Sequence, residues 1–128
     1  MINIKELRIG NLAYSGDKKL SRIYGIEEND LSLIRYNFLG LEIERFGTRI
    51  KNVEPIPITE ELLVRFGFEN TSRFEWCLGG IKINFYNSGE FTLDYFGKEM
   101  LRKARGKYVH QLQNLYFALT GTELEFKA

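Results

Sequence analysis

The sequence predicts an α+β fold in two parts. Residues 1–58 read as a small five-stranded β-barrel, and residues 59–128 as a short connector helix followed by a β-β-β-α unit, the two packed together as one compact domain. Three observations carry this. The first half is a series of short apolar runs separated by turn signals. The stretch "EPIPITEELLVRFGF" then breaks the pattern with two prolines and a helix start. The second half shows three alternating apolar–polar segments ahead of one amphipathic stretch, "KYVHQLQNLYFALTG".

In the first half, "LRIGNLAY", "LSRIYGI", "LSLIRY", "LEIERF" and "RIKNVEPI" read as strands of roughly 5 to 7 residues. "SGDKK", "EEND", a bend at "NFLG" and "GT" separate them. Short strands at this spacing suggest a meander curled into a barrel rather than a βαβ unit. The set resembles the SH3-like barrels, Tudor and KOW-type modules among them. Gly10 and Asn11 interrupt the alternation of Leu7, Ile9, Leu12 and Tyr14, as a bulge in an early barrel strand would.

Pro55 and Pro57 cannot sit in a central strand and hold the chain extended. Thr59 then caps a helix. Glu60 and Glu61 fall in its first turn, at the positive end of the helix dipole, while Leu62, Leu63 and Phe66 form its apolar side. Gly67 suits the left-handed residue that ends it.

Beyond the connector, Phe74, Trp76 and Leu78 alternate with Arg73, Glu75 and Cys77. Ile81, Ile83 and Phe85 alternate with Lys82, Asn84 and Tyr86, and Phe91, Leu93 and Tyr95 with Thr92, Asp94 and Phe96. Each segment therefore has one apolar and one largely polar face. "GG" at Gly79 and Gly80 and "NSG" at 87–89 are hairpin signals. The exposed apolar face needs a cover, and the spacing predicts a helix from about Tyr108 to Thr120. At 100° per residue Val109, Leu112, Leu115, Tyr116 and Leu119 form a stripe about 120° wide, and Gly121 is the stop.

The chain has 128 residues, 44% of them hydrophobic, enough for a buried core. Eighteen Lys and Arg face seventeen Asp and Glu, so net charge supplies no general steering toward nucleic acid or an anionic membrane. One cysteine excludes an intrachain disulfide, and one cysteine with one histidine cannot build the usual zinc site. No run approaches ~18 apolar residues, and "MINIKELRIG" has no signal-peptide core. The expected setting is the cytoplasm, with no membrane, metal or cofactor.

Together, "EPIPITEELLVRFGF" and "KYVHQLQNLYFALTG" make the chain resemble small uncharacterised proteins carried by phages, prophages and other mobile elements of gut bacteria. The resemblance implies a mobile-element origin and carries over no catalytic or binding residue.

Cys77 and His110 are the only candidates for a Cys/His dyad, which needs the two within hydrogen-bond reach. The alternation puts Cys77 on the polar face while the helix covers the other, so the two are expected on opposite sides of the sheet. The carboxylates are scattered or sit in turns and caps, without metal-ligand spacing. No phosphate-cradling glycine loop is present. No catalytic residue is assigned.

Two surfaces remain. On the helix, His110, Gln113, Asn114 and Phe117 line up beside the core stripe, either as a protein contact or as a face turned to the N-terminal barrel. The run "GKEMLRKARGK" carries Lys98, Arg102, Lys103, Arg105 and Lys107 against Glu99 alone. With Tyr95, Phe96 and Tyr108 beside it, the run could grip phosphates and stack bases; its bland reading is a solvated connection from the last strand to the helix. The preferred function is a non-enzymatic interaction module with a protein partner. A nucleic-acid-binding accessory protein using the basic run is the alternative, and a cryptic hydrolase or small-ligand binder the third. A homo-oligomer fits any of these.

Overall fold

Two antiparallel sheets carry the chain in the computed structural model, which describes residues 2–16, 18–36, 42–86, 88–96 and 101–126. Tyr36, Ile43, Phe96 and residues 101–103 are described in their backbone alone. The first sheet has the order β1 (Leu12–Tyr14), β2 (Leu20–Glu27), β3 (Asp30–Tyr36), β4 (Glu42–Arg49). The connector helix α1 (Glu60–Arg65) leads to the second, ordered β5 (Glu69–Ser72), β6 (Glu75–Leu78), β7 (Ile81–Phe85), β8 (Phe91–Phe96), β9 (Leu101–Gly106). Helix α2 (Val109–Thr120) follows.

The protein is mostly β, and the expected α+β fold with an SH3-like barrel is corrected on that point. The N-terminal sheet is open. Closure needs long, mutually paired first and last strands. Here β1 has three residues, because Gly10 (φ 99°) turns the chain just before it instead of bulging a longer strand. The segment expected as the fifth strand is a 3-10 turn, Ile50–Asn52, followed by extended chain. Among the described residues its backbone pairs with β1 at a single bridge, between Tyr14 and Glu54. "GT" is no turn either: Gly47 and Thr48 continue β4, opposite Ser32 and Leu31. The bend at "NFLG" lies outside the described residues.

The second sheet has five strands rather than three. Its central ladder follows the alternation: Trp76 pairs with Ile83, and Ile83 with Leu93. The additions are the edges, β5 with every residue exposed and β9 built from the basic run.

Both helices follow their local chemistry. Thr59 Oγ1 accepts Leu62 N–H at 3.2 Å, and Gly67 (φ 92°) ends α1. Tyr108 is the N-cap of α2, the Gln111 side chain accepts Tyr108 N–H at 3.0 Å, and Gly121 (φ 75°) closes the helix. Leu112, with Val109, packs among Trp76, Ile83, Phe91 and Leu93, so α2 is the cover of the second sheet.

Two cores result, and β1 belongs to both. Ala13 packs with Ile2, Ile23, Leu31, Leu33 and Val53; Leu12, pointing the other way, packs into the cluster under α2. The connector joins the same parts. Glu54 exchanges both backbone bonds with Tyr14 at 2.9 Å, Ile56 C=O accepts Val109 N–H at 2.8 Å, and Ile58 N–H donates to Lys107 C=O at 3.3 Å. Pro55 and Pro57 fall between these positions, where no N–H is required.

Candidate functional site

The polar arc of α2 is turned to the N-terminal segment. Gln113, 1% exposed, accepts Leu12 N–H at 2.8 Å through Oε1 and donates from Nε2 to Gly10 C=O at 3.2 Å. Asn114 donates to Glu6 C=O at 2.6 Å, and its Oδ1 accepts from Asn11 Nδ2 at 2.8 Å and Arg8 Nε at 3.1 Å. Asn11 is itself buried, and its Oδ1 accepts Arg8 N–H at 2.7 Å. The loop before β1 has few helical or ladder bonds of its own, so these amides satisfy backbone groups that burial would otherwise leave unpaired.

His110 closes the inner end of this seam. It is 1% exposed, stacks on Tyr108 with ring centroids 6.0 Å apart, and places Nε2 3.2 Å from Glu6 Oε2. Its Nδ1 is buried without a hydrogen-bond partner among the described residues. Burial holds the imidazole below its ordinary value of 6.5, with the Glu6 carboxylate pulling the other way, so the neutral ring is favoured.

At the outer end Arg8 lies over the Phe117 ring at 4.3 Å and pairs with Glu123. Phe117 remains 39% exposed, the one member of the arc with substantial open surface. His110, Gln113 and Asn114 thus bind their own chain. The sequence offered the arc but not its partners Glu6, Arg8, Gly10 and Asn11; the available signal was a polar row beside a core stripe, which must find bonding partners if covered.

Cys77 sits half-buried in β6 with its sulfur 3.7 Å from Thr71 Oγ1. Its sulfur neighbours Thr71 whereas His110 bonds Glu6, and none of the depressions lined by Asn84, Trp76 or Tyr116 holds either residue. No group of three or more His, Cys, Asp or Glu side chains gathers among the described residues as a metal site requires.

From residue 101 onward the basic run is a strand rather than a connection. Residues 101–106 form β9, with Arg105 opposite Thr92, Lys103 opposite Asp94 and Arg102 opposite Tyr95. Lys98 lies outside the described residues, and Arg105 and Lys107 are exposed. Of the aromatic neighbours, Tyr95 packs against the core and Tyr108 stacks on His110.

Arg105 also lines a surface the sequence reading passed over. Opposite α2, no described element covers the second sheet, and Asn84, Tyr86, Thr92, Asp94, Ala104 and Arg105 surround an open depression of about 510 Å³. Tyr86 is 45% exposed at its end. On the neighbouring strands Lys82 Nζ pairs with Glu75 at 2.9 Å, which lowers the Glu75 carboxyl and raises the lysine. The face therefore mixes both charge signs with an aromatic ring and amide and hydroxyl groups. No family model, curated protein or solved structure matches the chain.

Proposed function

We propose that this chain is a non-enzymatic macromolecule-interaction module of a phage or other mobile element, holding a protein partner on the uncovered face of its C-terminal sheet. One observation carries the reading: α2 covers one face of that sheet, while the other leaves Tyr86 and Arg105 beside Asn84, Thr92 and Asp94 around an open depression. Exposed tyrosine and arginine among hydrogen-bonding groups are the residue types that dominate protein contacts. The helix arc is a weaker surface, because its amides already hold the N-terminal segment.

The nucleic-acid alternative has the cations of β9 in its favour. Against it, Tyr95 and Tyr108 are engaged elsewhere and Asp94 stands beside Arg105, which weakens both base stacking and phosphate grip. The test is capture by the full chain from producing cells, compared with Tyr86→Ala. Loss of a specifically captured protein on that substitution supports the reading. Capture indifferent to Tyr86, or retention of nucleic acid instead of protein at about 150 mM salt, overturns it.

A further inference from the structure

The second sheet ends at β9, and its pairing fixes which backbone groups face outward. Phe85 N–H donates to Phe74 C=O on the β6 side, so its cross-strand partner Phe91 bonds away from β7, toward Gly106 of β9. Backbone groups alternate sides along a strand. Gly106, Ala104 and Arg102 therefore bond to β8, while Arg105 and Lys103 turn N–H and C=O away from it. Lys107 C=O agrees, because it accepts Ile58 N–H from the connector on that outer side. Among the described residues no strand pairs with β9 there before Lys107.

This open edge is strongly cationic. Residues 101–107 contain Arg102, Lys103, Arg105 and Lys107 and no acidic residue. Such an edge opposes pairing with its own copy, since like charges would meet, and favours a strand that carries carboxylates. A polynucleotide offers matching charge but no alternating N–H and C=O to continue the ladder. An added strand would also run beside Arg105, at the rim of the uncovered face.

We propose that the outer edge of β9 takes an extended acidic peptide segment of the partner protein as an added strand, with Arg105 meeting its carboxylates. This rests on the reading of the chain as a protein-binding module and names the partner's chemistry. Backbone bonds at Lys103 and Arg105 supply the pairing, and alternate side chains of the peptide fall on the uncovered face.

The experiment is fluorescence anisotropy with the full chain and a labelled peptide of about eight residues alternating Val and Glu, long enough to pair with one edge. The probes beside it are the same peptide N-methylated at every residue, a Val/Lys peptide, and oligo-dT of equal length. The Val/Glu peptide should bind; the N-methylated and Val/Lys peptides should not. Arg105→Glu should weaken binding about tenfold, as loss of a charge-assisted contact does. Lys51→Glu, an equal charge change at an exposed residue outside β9, should leave it intact. Lys107→Glu replaces Arg105→Glu if circular dichroism shows the latter misfolded.

Equal binding of the N-methylated peptide, tighter binding of oligo-dT, or no binding of the Val/Glu peptide overturns the proposal. In the last case, a cellular capture that still depends on Tyr86 leaves the protein-binding reading standing. A capture independent of Tyr86 removes both.

Discussion

Gln113→Leu measures what the buried amide of α2 contributes. Leucine is similar in volume and keeps the site filled, but it removes the acceptor of Leu12 N–H at 2.8 Å and the donor to Gly10 C=O at 3.2 Å. Each buried backbone group left unpaired costs about 1–3 kcal/mol, and the added apolar burial returns about 1 kcal/mol. The expected loss is about 3 kcal/mol. Gln113→Glu gives an internal control, since a carboxylate still accepts from Leu12 but faces Gly10 C=O with no proton. Its deficit should shrink on acidification, as the protonated acid donates to Gly10 again. Urea denaturation followed by the single tryptophan, the buried Trp76, reads the change as a midpoint shift at constant slope. Hydrogen exchange at Leu12 N–H should accelerate in Gln113→Leu. A loss under about 0.5 kcal/mol with Leu12 still protected would refute the idea that this amide holds the N-terminal segment.

Three other outcomes follow from the same geometry. Because burial lowers the His110 pKa, the unfolded chain binds the proton first: stability is full above the ordinary value of 6.5 and declines as pH falls below it, until the folded state also takes the proton. Melting His110→Phe beside the parent chain from pH 7 to 5 checks this, with a flatter profile expected for the variant. Gly106→Ala should destabilise by about 1–3 kcal/mol, because a Cβ there would lie 2.6 Å from Cζ of the fully buried Phe91, so the ring must shift within the core to admit it. Thermal unfolding measures that shift. If nucleic acid binds at all, the cations at 98, 102, 103, 105 and 107 limit the slope of log affinity against log salt to about −4.5 for duplex DNA, a bound read from titrations at two salt concentrations.

What was legible in the sequence was local. The alternation of Trp76, Ile83 and Leu93 placed the central strands, and the stripe of Val109, Leu112 and Leu115 placed α2, because one buried face imprints its period on the chain. Edge strands carry no such imprint: "ENTS" of β5 is exposed throughout and "LRKARG" of β9 reads as solvated charge. Barrel closure failed for a related reason. It depends on whether distant strands pair, and no pattern within "RIKNVEPI" reports that the chain leaves the sheet as a 3-10 turn. The helix arc was visible as polar residues in surplus beside a core stripe, while their partners lie 101 to 108 positions away.

The arc has a further consequence for the mutual placement of the two sheets. Apolar contact alone is indifferent to small slides, whereas paired amides with fixed donors and acceptors are satisfied in one arrangement. Gln113 and Asn114 read backbone groups of Glu6, Gly10 and Leu12, and the adjoining β1 spans both cores through Leu12 and Ala13. The connector repeats the constraint at Tyr14 and Val109. A variant that cuts the seam, such as Gln113→Leu, should therefore loosen the N-terminal sheet before the C-terminal one. The depression lined by Tyr86 and Arg105 lies wholly within β7, β8, β9 and the residue after β7, so the partner binding proposed there should survive conditions in which the N-terminal segment has already lost its exchange protection.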